Sequence, residues 1–208
     1  MIAVIDYGLG NLFSLVCSLK YLGETAEVTA DPTVIAKADK LILPGVGAFG
    51  DAMARLNGLG LADVLRQQAA DGKPLLGICL GMQLLFEKSE EFGVHQGLGL
   101  LPGRVVSLAA DLAAAGSTLK TPQMGWNALD IRKPDCPVLA NCRQGDHVYF
   151  VHSFYAKDCY PVLAASVDYQ VTVPATVWKD NVFGCQFHPE KSGRTGLGIL
   201  DAYIKGVS

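Results

Sequence analysis

The sequence predicts an α/β fold in which helices cover both faces of a mostly parallel central sheet, giving three layers. Strands and helices alternate through the first half of the chain, as right-handed crossover units require. The strands there are continuous apolar runs, which are typical of strands buried on both faces. Short strands separated by turn residues follow in the second half and indicate an antiparallel extension. We expect one domain spanning residues 1–208.

The first half opens with the apolar run Ile2-Ala3-Val4-Ile5, the first predicted strand. Leucines then recur at helical spacing, and Asp31-Pro32 has the form of a helix N-cap followed by proline at the first helical position. Further strands are expected at residues 25–29, 40–43 and 74–78, and helices at residues 12–22, 62–69 and 80–88. The last of these strands leads directly into the last helix, so a sharp corner is predicted there.

The second half carries strands bounded by Gly, Pro, Asp or Asn. They are expected at residues 105–108, 126–131, 148–151, 163–167, 175–178 and 182–187. We expect these strands to continue the central sheet in a mixed or antiparallel arrangement. A helix near residues 197–205 is predicted to close the domain.

Composition and charge exclude several classes of protein. Hydrophobic residues make up 50% of the chain and charged residues 18%, which is typical of a compact globular protein and not of a disordered one. A net charge of −3 leaves no basic surplus for binding nucleic acid. We expect no membrane association, because no apolar stretch is long enough to span a bilayer and the N-terminus does not resemble a signal peptide.

The six cysteines favour neither a disulfide framework nor a zinc ribbon, because no C-x-x-C pair is present and no secretion signal is recognisable. We therefore expect a reduced, cytoplasmic protein that needs no metal and no organic cofactor. Five of the cysteines are expected to be small apolar packing residues. Cys79 is the exception.

Cys79 lies in Gly77-Ile78-Cys79-Leu80-Gly81, a G-x-C-x-G pattern at the predicted corner between strand and helix. The pattern is that of a nucleophile elbow, where a tight turn exposes the nucleophile and the glycines prevent clashes. A helix N-terminus stabilises a thiolate, and the free N–H of Leu80 can bind a developing oxyanion. The alternative is a buried cysteine between closely packed glycines, and this pattern alone does not decide between the two.

A nucleophilic cysteine needs a base, and the base needs a group that orients it. His188 and Glu190 follow an apolar strand and lie two residues apart, so on an extended segment they face the same side. Glu190 can then hold one ring nitrogen while the other accepts the proton of Cys79. His-Pro-Glu alone could be a turn at a strand end, but together with the elbow it favours a Cys79–His188–Glu190 triad.

The two motifs resemble the signatures of class I (triad-type) glutamine amidotransferases; they occupy residues 77–83 (GICLGMQ) and 188–192 (HPEKS). Further segments resemble one group of that family, the glutaminase subunits of imidazole glycerol phosphate synthases. They are residues 5–12 (IDYGLGNL), 44–49 (PGVGAF), 124–127 (MGWN) and 149–155 (YFVHSFY). The resemblance runs through nearly the whole chain and implies a flavodoxin-like α/β fold with three layers.

The resemblance implies that Cys79 attacks the carboxamide of glutamine, that His188 transfers protons and that Glu190 orients His188. Water then releases glutamate from the thioester. Oxyanion and glutamine contacts are implied for Leu80, Val46, Gly47, Gln83, Ser153 and Phe154. Ammonia would pass to a separate cyclase subunit, the heterodimer partner, which makes imidazole glycerol phosphate and aminoimidazole carboxamide ribotide in histidine biosynthesis. The chain is too short to contain that barrel of roughly 250 residues as well.

The resemblance also implies a surface that faces the cyclase, formed by Met124, Trp126, Asn127, Tyr149 and Lys191. Each has a plainer alternative: the segment at 124–127 could be a turn that buries Trp126 in the core, and Lys191 could be an ordinary solvated lysine. His152 is expected to be structural, bonded to the backbone at a strand end.

Two positions depart from the wider family pattern. Val46 stands where many relatives have glycine, and a β-branched residue resists positive φ, so turning its N–H toward an oxyanion is harder. Phe154 stands where relatives often carry tyrosine, so a side-chain hydroxyl is lost there.

Two other functions remain open. The chain could be the glutaminase of another synthase, such as the one that makes pyridoxal phosphate, although segments 124–127 and 149–155 argue against it. It could also be a regulatory subunit with an inactive site, but a decayed site would be expected to lose Gln83 or a member of the triad.

Overall fold

An eight-stranded sheet runs through the centre of the molecule in the computed structural model, which describes residues 1–207. The strands of the molecule are β1 (Ile2–Ile5), β2 (Ala26–Thr29), β3 (Lys40–Gly45), β4 (Leu75–Cys79), β5 (Phe86–Ser89), β6 (His95–Gln96), β7 (Leu101–Ser107), β8 (Gln123–Ala128), β9 (Asp130–Ile131), β10 (His147–His152), β11 (Phe154–Lys157), β12 (Leu163–Asp168), β13 (Thr172–Lys179) and β14 (Val182–Cys185). The order across the central sheet is β2-β1-β3-β4-β14-β13-β12-β9. Strands β2 to β14 in that order are parallel, and β13, β12 and β9 are antiparallel. The predicted mostly parallel sheet with an antiparallel extension is confirmed.

Helices cover both faces of this sheet. They are α1 (Leu12–Tyr21), α2 (Pro32–Lys37), α3 (Phe49–Gly58), α4 (Leu61–Ala70), α5 (Leu80–Leu84), α6 (Leu108–Ala114) and α7 (Gly193–Gly206). Alternate residues of β1 enter different cores: Val4 packs in the same cluster as Leu15 of α1 and Ile199 of α7. Ile5 packs instead in the cluster that contains residues of α2, α3 and α4. The three-layer prediction is therefore confirmed.

The predicted N-cap at Asp31 is also confirmed. Its side chain accepts a hydrogen bond of 2.7 Å from the backbone N–H of Thr33, and Pro32 occupies the first helical position of α2. This bond satisfies one of the donors that a helix N-terminus leaves free.

The second half of the chain departs from the prediction that its strands continue one sheet. Strands β11, β7, β5 and β6 form a separate four-stranded sheet, and β8 and β10 form an antiparallel pair, which we call the ribbon. The segments at 105–108, 148–151 and 126–128 were thus assigned to the wrong sheet, whereas 130–131 forms β9 of the central sheet. A strand pattern reveals which residues face a core, but it does not identify the strand that pairs with them.

The helix predicted over residues 80–88 was wrong in its length. Helix α5 ends at Leu84, and Phe86 begins β5, which pairs with β6 and β7. The local pattern suits a helix, but pairing within the four-stranded sheet outweighs that preference. Helices α3 and α6 and strands β6 and β11 were not predicted. Strand β3 is longer than predicted, because it continues through Pro44 to Gly45.

Two glycines allow α5 to lie directly against the ends of β3 and β4. A Cβ on Gly77 would lie 2.7 Å from the Cα of Met82, and a Cβ on Gly81 would overlap the carbonyl oxygen of Leu43. Neither position therefore accepts a side chain unless the backbone moves. The chain makes the turn at Cys79, which has φ 55° and ψ −112°.

We expect Gly81→Ala to lower the free energy of unfolding by about 3 kcal/mol or more, because α5 must move away from β3. Gly58→Ala is the matched control: Gly58 is the last residue of α3, and nothing lies within 4 Å of a Cβ built on it. That change should leave stability unaltered or raise it by up to about 1 kcal/mol. Urea unfolding followed by circular dichroism measures both, and equal midpoints for the two variants would contradict the close packing.

Candidate active site

A cavity of about 480 Å³ lies at the carboxyl ends of the parallel strands. Ligands of open α/β sheets bind at this edge. The cavity brings together two members of the predicted triad, Cys79 and His188, with every residue predicted to contact the oxyanion or glutamine. Those contact residues are Val46, Gly47, Leu80, Gln83, Ser153 and Phe154.

Cys79 occupies the corner between β4 and α5, and its side chain is almost fully buried. A non-glycine residue at positive φ is strained, and such strain concentrates at functional sites. Gly45 pairs with Cys79 in the sheet register, so Val46 and Gly47 follow directly beside the thiol. Gly47 has φ 102°, whereas Val46 is not among the residues with positive φ, as expected for a β-branched side chain.

Tyr7 supports the segment on which Val46 lies, a role that the sequence did not suggest. Its buried hydroxyl donates a hydrogen bond of 3.0 Å to the carbonyl oxygen of Pro44. Burial, followed by the proximity of Cys79, raises the pKa of Tyr7 well above its usual range. The hydroxyl therefore stays protonated and remains a donor to this strand end.

His188 and Glu190 form a buried pair. The Nδ1 atom of His188 lies 2.8 Å from Oε1 of Glu190, and the two side chains are only 4% and 3% exposed. Burial alone lowers the pKa of His188, but hydrogen bonds with the side chains of Cys79 and Glu190 outweigh it and raise the pKa to about 9. The pairing with Glu190 therefore favours the protonated form of the ring.

Ser192 ties this pair to the ribbon. Its hydroxyl donates to the carbonyl oxygen of His188 at 2.7 Å and accepts from the N–H of Tyr149 in β10 at 3.0 Å. The N–H of His188 donates in turn to the carbonyl oxygen of Tyr149 at 3.0 Å. The backbone that carries His188 is thus fixed to the ribbon at two points.

Gln83 is held at the wall of the cavity by two bonds from its amide nitrogen. Nε2 donates to the carbonyl oxygen of Phe154 at 2.8 Å and to Oε1 of Gln186 at 3.0 Å. Gln186 was not predicted, although its spacing carries a signal: it lies two residues before His188 and so faces the same side of an extended segment. The side chains of Gln83 and Gln186 and the carbonyl of Phe154 thus connect the two halves of the chain beside the cavity.

A family model described as glutamine amidotransferase class-I matches residues 3–202. The chain belongs to the class-I glutamine amidotransferase family. Relatives named imidazole glycerol phosphate synthase subunit HisH match nearly the whole chain. The one from Syntrophotalea carbinolica is 51% identical over 201 residues, covering 96% of this chain and 97% of its own. The one from Halalkalibacterium halodurans is 52% identical over 204 residues, covering 98% and 94%. These matches confirm the resemblance that the motifs predicted.

Solved structures of more distant proteins share the fold. A crystal structure of a glutamine amidotransferase superposes with a TM-score of 0.75 at 18% identity, covering 100% of both chains. PurLQS from Thermotoga maritima superposes with a TM-score of 0.74 at 21% identity, covering 99% of this chain and 97% of its own. At these identities the likeness establishes the fold alone.

Glu91 is a second residue of the amidotransferase cavity that the sequence analysis missed, and its spacing carries no signal that singles it out. It is buried, and its Oε2 accepts a hydrogen bond of 2.7 Å from the N–H of Phe49 at the start of α3. Burial raises its pKa. It is the one carboxylate among the residues that line the cavity.

His152 lies at the end of β10 and bonds to local backbone, as the sequence predicted. Its Nδ1 lies 3.0 Å from the carbonyl oxygen of Phe154, so the ring carries its proton on Nδ1. Burial lowers the pKa of His152 to about 4, which keeps the ring neutral. The side chain also lines the cavity.

All the residues predicted to face a partner except Lys191 lie on the ribbon, and they divide between its two faces. Met124 and Trp126 point outward and are 63% and 53% exposed, so Trp126 is not a core residue. The ring of Tyr149 packs edge-on against Trp126, with centroids 5.9 Å apart. Lys191 is exposed at the mouth of the cavity. Asn127 points inward and accepts a hydrogen bond of 3.0 Å from Nε2 of Gln123.

The cysteines other than Cys79 are not all packing residues, because Cys17 is exposed on α1. Cys136, Cys159 and Cys185 are buried as expected, and burial raises the pKa of Cys136 to about 12 and of Cys159 to about 11. Within residues 1–207, no group of His, Cys, Asp and Glu is arranged to hold a metal ion, and no helix is long and apolar enough to cross a membrane.

We expect Glu190→Gln to lower the pKa of His188 by more than about one unit, because a charge partner is lost while burial remains. NMR titration of the ring measures the pKa, which should be about 9 in the parent. His152, with a pKa of about 4, is an internal control in the same spectrum.

The same shift predicts a pH dependence of stability. The folded pKa of His188 is raised from 6.5 to about 9, so its contribution is complete below pH 6.5 and is lost as the pH rises through 9. The parent should lose more stability than Glu190→Gln across this window. Identical titration curves for His188 in the two proteins would contradict the proposed pairing.

Proposed function

We propose that this amidotransferase hydrolyses glutamine with Cys79, His188 and Glu190 and delivers the ammonia to a separate cyclase subunit of imidazole glycerol phosphate synthase. The observation that carries the proposal is the 2.8 Å contact between His188 and Glu190, together with the cavity that His188 shares with the strained Cys79. The relatives that are about half identical to this chain carry the name of that synthase.

The first half of the reaction is attack by the sulfur of Cys79 on the carboxamide of glutamine. The raised pKa of His188 and its bond to Glu190 favour transfer of the Cys79 proton to the ring, which gives a thiolate–imidazolium pair before the sulfur attacks. The thiolate attacks the carboxamide carbon, and the oxyanion accepts a hydrogen bond from the N–H of Leu80 at the start of α5. His188 then donates its proton to the departing nitrogen, which leaves as ammonia.

The second half of the reaction restores the enzyme. His188, now neutral, removes a proton from water, and the resulting hydroxide attacks the thioester carbonyl. The carbon–sulfur bond breaks, glutamate leaves and the sulfur returns to its ion pair with His188. Glu190 keeps Nδ1 occupied through both steps, so the other ring nitrogen always faces the sulfur.

The cavity also matches the charges of free glutamine. Glu91 is held by the N–H of Phe49 through one oxygen, which leaves the other for the α-ammonium group of the substrate. The amide nitrogen of Gln83 is occupied by two acceptors, so its carbonyl oxygen is available to the same ammonium group. The backbone at Ser153 and Phe154 would receive the α-carboxylate.

An apolar surface beside the triad is the proposed contact for the cyclase, and we call it the docking surface. Phe13, Cys17 and Tyr21 lie four residues apart along one face of α1, and Phe13 and Tyr21 are 79% and 78% exposed. Trp126 of the ribbon adjoins this face, since its ring lies 3.9 Å from a Cβ built on Gly193, which lines the same depression as Cys17 and Tyr21; we include it and its exposed neighbour Met124 in the docking surface. Cys17, Tyr21 and Glu190 line one shallow depression, so this surface adjoins the triad. Exposed apolar patches of this kind mark interaction sites.

The docking surface is physically linked to the catalytic histidine. Trp126 packs on Tyr149, and the backbone of Tyr149 is bonded to both His188 and Ser192. A partner that moves the ribbon on binding will therefore also move the segment that positions His188. Val46 gives a second reason for partner dependence, since its N–H reaches an oxyanion only after the strand end adopts a less favourable backbone conformation.

We propose further that residues 1–208 act as one amidotransferase domain in the cytoplasm. The family model covers almost the whole chain, which supports a single domain. The cysteines of the chain are free thiols, as in a protein of a reducing compartment. This chain contributes the hydrolase step, and the lyase step belongs to the cyclase.

We expect the purified chain to release glutamate slowly from glutamine alone and at least about tenfold faster when mixed with the cyclase subunit and its nucleotide ligand. Glutamate release in a coupled dehydrogenase assay is the measurement. Cys79→Ala is the control and should abolish release in both conditions. No glutamate in either condition would contradict the synthase assignment.

Labelling of Cys17 in the presence of the cyclase tests whether the cyclase binds to the docking surface. In a Cys79→Ala background, a small thiol reagent should label Cys17 readily, and the cyclase should protect it by at least about fivefold if it covers the docking surface. Cys17→Ser controls for labelling of other thiols. Unchanged labelling of Cys17 at a cyclase concentration that stimulates the parent chain would place the partner elsewhere.

A further inference from the structure

Gln186 is a fully buried polar residue that lies behind two residues of the active-site cavity wall, Gln83 and Cys79. It follows the end of β14, and its side chain has no exposed surface. Its two amide atoms face two different functional residues: Oε1 lies 3.0 Å from Nε2 of Gln83, and Nε2 lies 3.9 Å from the sulfur of Cys79. A buried amide is costly unless it is hydrogen-bonded, so these contacts determine how the group is oriented.

The bonds around Gln83 set the direction of both amides. Nε2 of Gln83 has two acceptors, the carbonyl of Phe154 and Oε1 of Gln186. If the Gln83 amide turned over, its oxygen would face two other oxygens, so its carbonyl is kept on the cavity side. Because Oε1 of Gln186 is used in this way, its N–H group is the atom left facing Cys79.

A donor at this position suits a charged sulfur better than a neutral one. Hydrogen bonds to ionised groups are roughly twice as strong as those between neutral groups. His188 lines the same cavity as Cys79, so the sulfur has an imidazole ring as well as an amide N–H nearby. Cys79 is almost fully buried, which strengthens both interactions.

We propose that Gln186 is a positioning residue that stabilises the thiolate of Cys79 through its amide N–H and fixes the Gln83 amide with its carbonyl toward the substrate. The inference deepens the proposed function and rests on it for the role of Gln83. The effect on the thiol is independent of turnover, because it exists in the resting site.

Two substitutions separate the two contacts. Gln186→Met has a similar length and removes both the acceptor for Gln83 and the donor to Cys79. Gln186→Glu keeps an acceptor for Gln83 but replaces the N–H beside the sulfur with an oxygen. Thr176→Val is the matched control: Thr176 is buried on the neighbouring strand β13, is paired in register with Cys185, and does not line the cavity.

The first measurement is the rate of alkylation of Cys79 by iodoacetamide against pH, read from the Cys79 peptide by mass spectrometry. Gln186→Met should move the midpoint up by about one pH unit, and Gln186→Glu by more, because it adds a negative charge near the sulfur. Thr176→Val should leave the midpoint unchanged. A parent midpoint in Gln186→Glu, with circular dichroism showing a folded protein, would overturn the role at the thiol.

The second measurement is the KM for glutamine in the complex with the cyclase subunit. Gln186→Met should raise KM about tenfold, because Gln83 is no longer held, whereas Gln186→Glu should keep KM within about threefold of the parent. In a Gln83→Ala background, Gln186→Met should have no further effect on KM. An additional increase there, or an unchanged KM in the single variant, would overturn the role through Gln83.

The two measurements also separate this inference from the function on which it rests. If the parent complex released no glutamate, the proposed function would fail, and the alkylation profile would still decide whether Gln186 stabilises the thiolate. If the parent were active and the alkylation midpoints did not move, the function would stand and the inference would fall.

Discussion

The close approach of α5 to the ends of β3 and β4 is the constraint on which the rest of the site depends. Gly81 lies where any side chain would overlap the carbonyl of Leu43, so the helix starts directly after the strand. The chain can make that corner only if Cys79 adopts φ 55°. The strain is offset by packing on both sides of the sheet. As a result the thiol lies at a helix N-terminus and beside the strand end that carries Val46.

The second half of the chain supplies the groups that activate this thiol. Because β14 is parallel to β4 and pairs with it, the residues after β14 emerge above the same edge of the sheet as Cys79. Gln186 and His188 therefore reach the sulfur from one extended segment. Glu190 and the Ser192 hydroxyl then fix that segment, and the bonds of Ser192 and His188 to Tyr149 extend its support to the ribbon and the docking surface. The same few backbone hydrogen bonds thus support both the catalytic histidine and the proposed docking surface.

The sequence predicted the parts of the structure that local patterns encode. The apolar strands β1 and β3, the Asp31 cap and the corner at Cys79 follow from residue type and spacing, and the His188–Glu190 pair follows from the two-residue period of an extended chain. The pairing of β5 with β7 and the separate ribbon were missed, because pairing depends on residues far apart in the chain. Glu91 was missed for the same reason: its burial near Phe49 is created by folding. Gln186 was missed even though it shares the period of His188.

The most direct test of the central claim is to identify which cysteine reacts with an electrophilic analogue of glutamine, using intact-mass and peptide mass spectrometry. Exposure alone favours Cys17, since Cys79 is only 7% exposed. If the elbow and His188 activate the thiol, a single adduct will form on Cys79, free glutamine will compete with it, and His188→Ala will slow it by at least about a hundredfold. Labelling that followed exposure, with Cys17 first and no competition by glutamine, would contradict the assignment of Cys79 as the nucleophile.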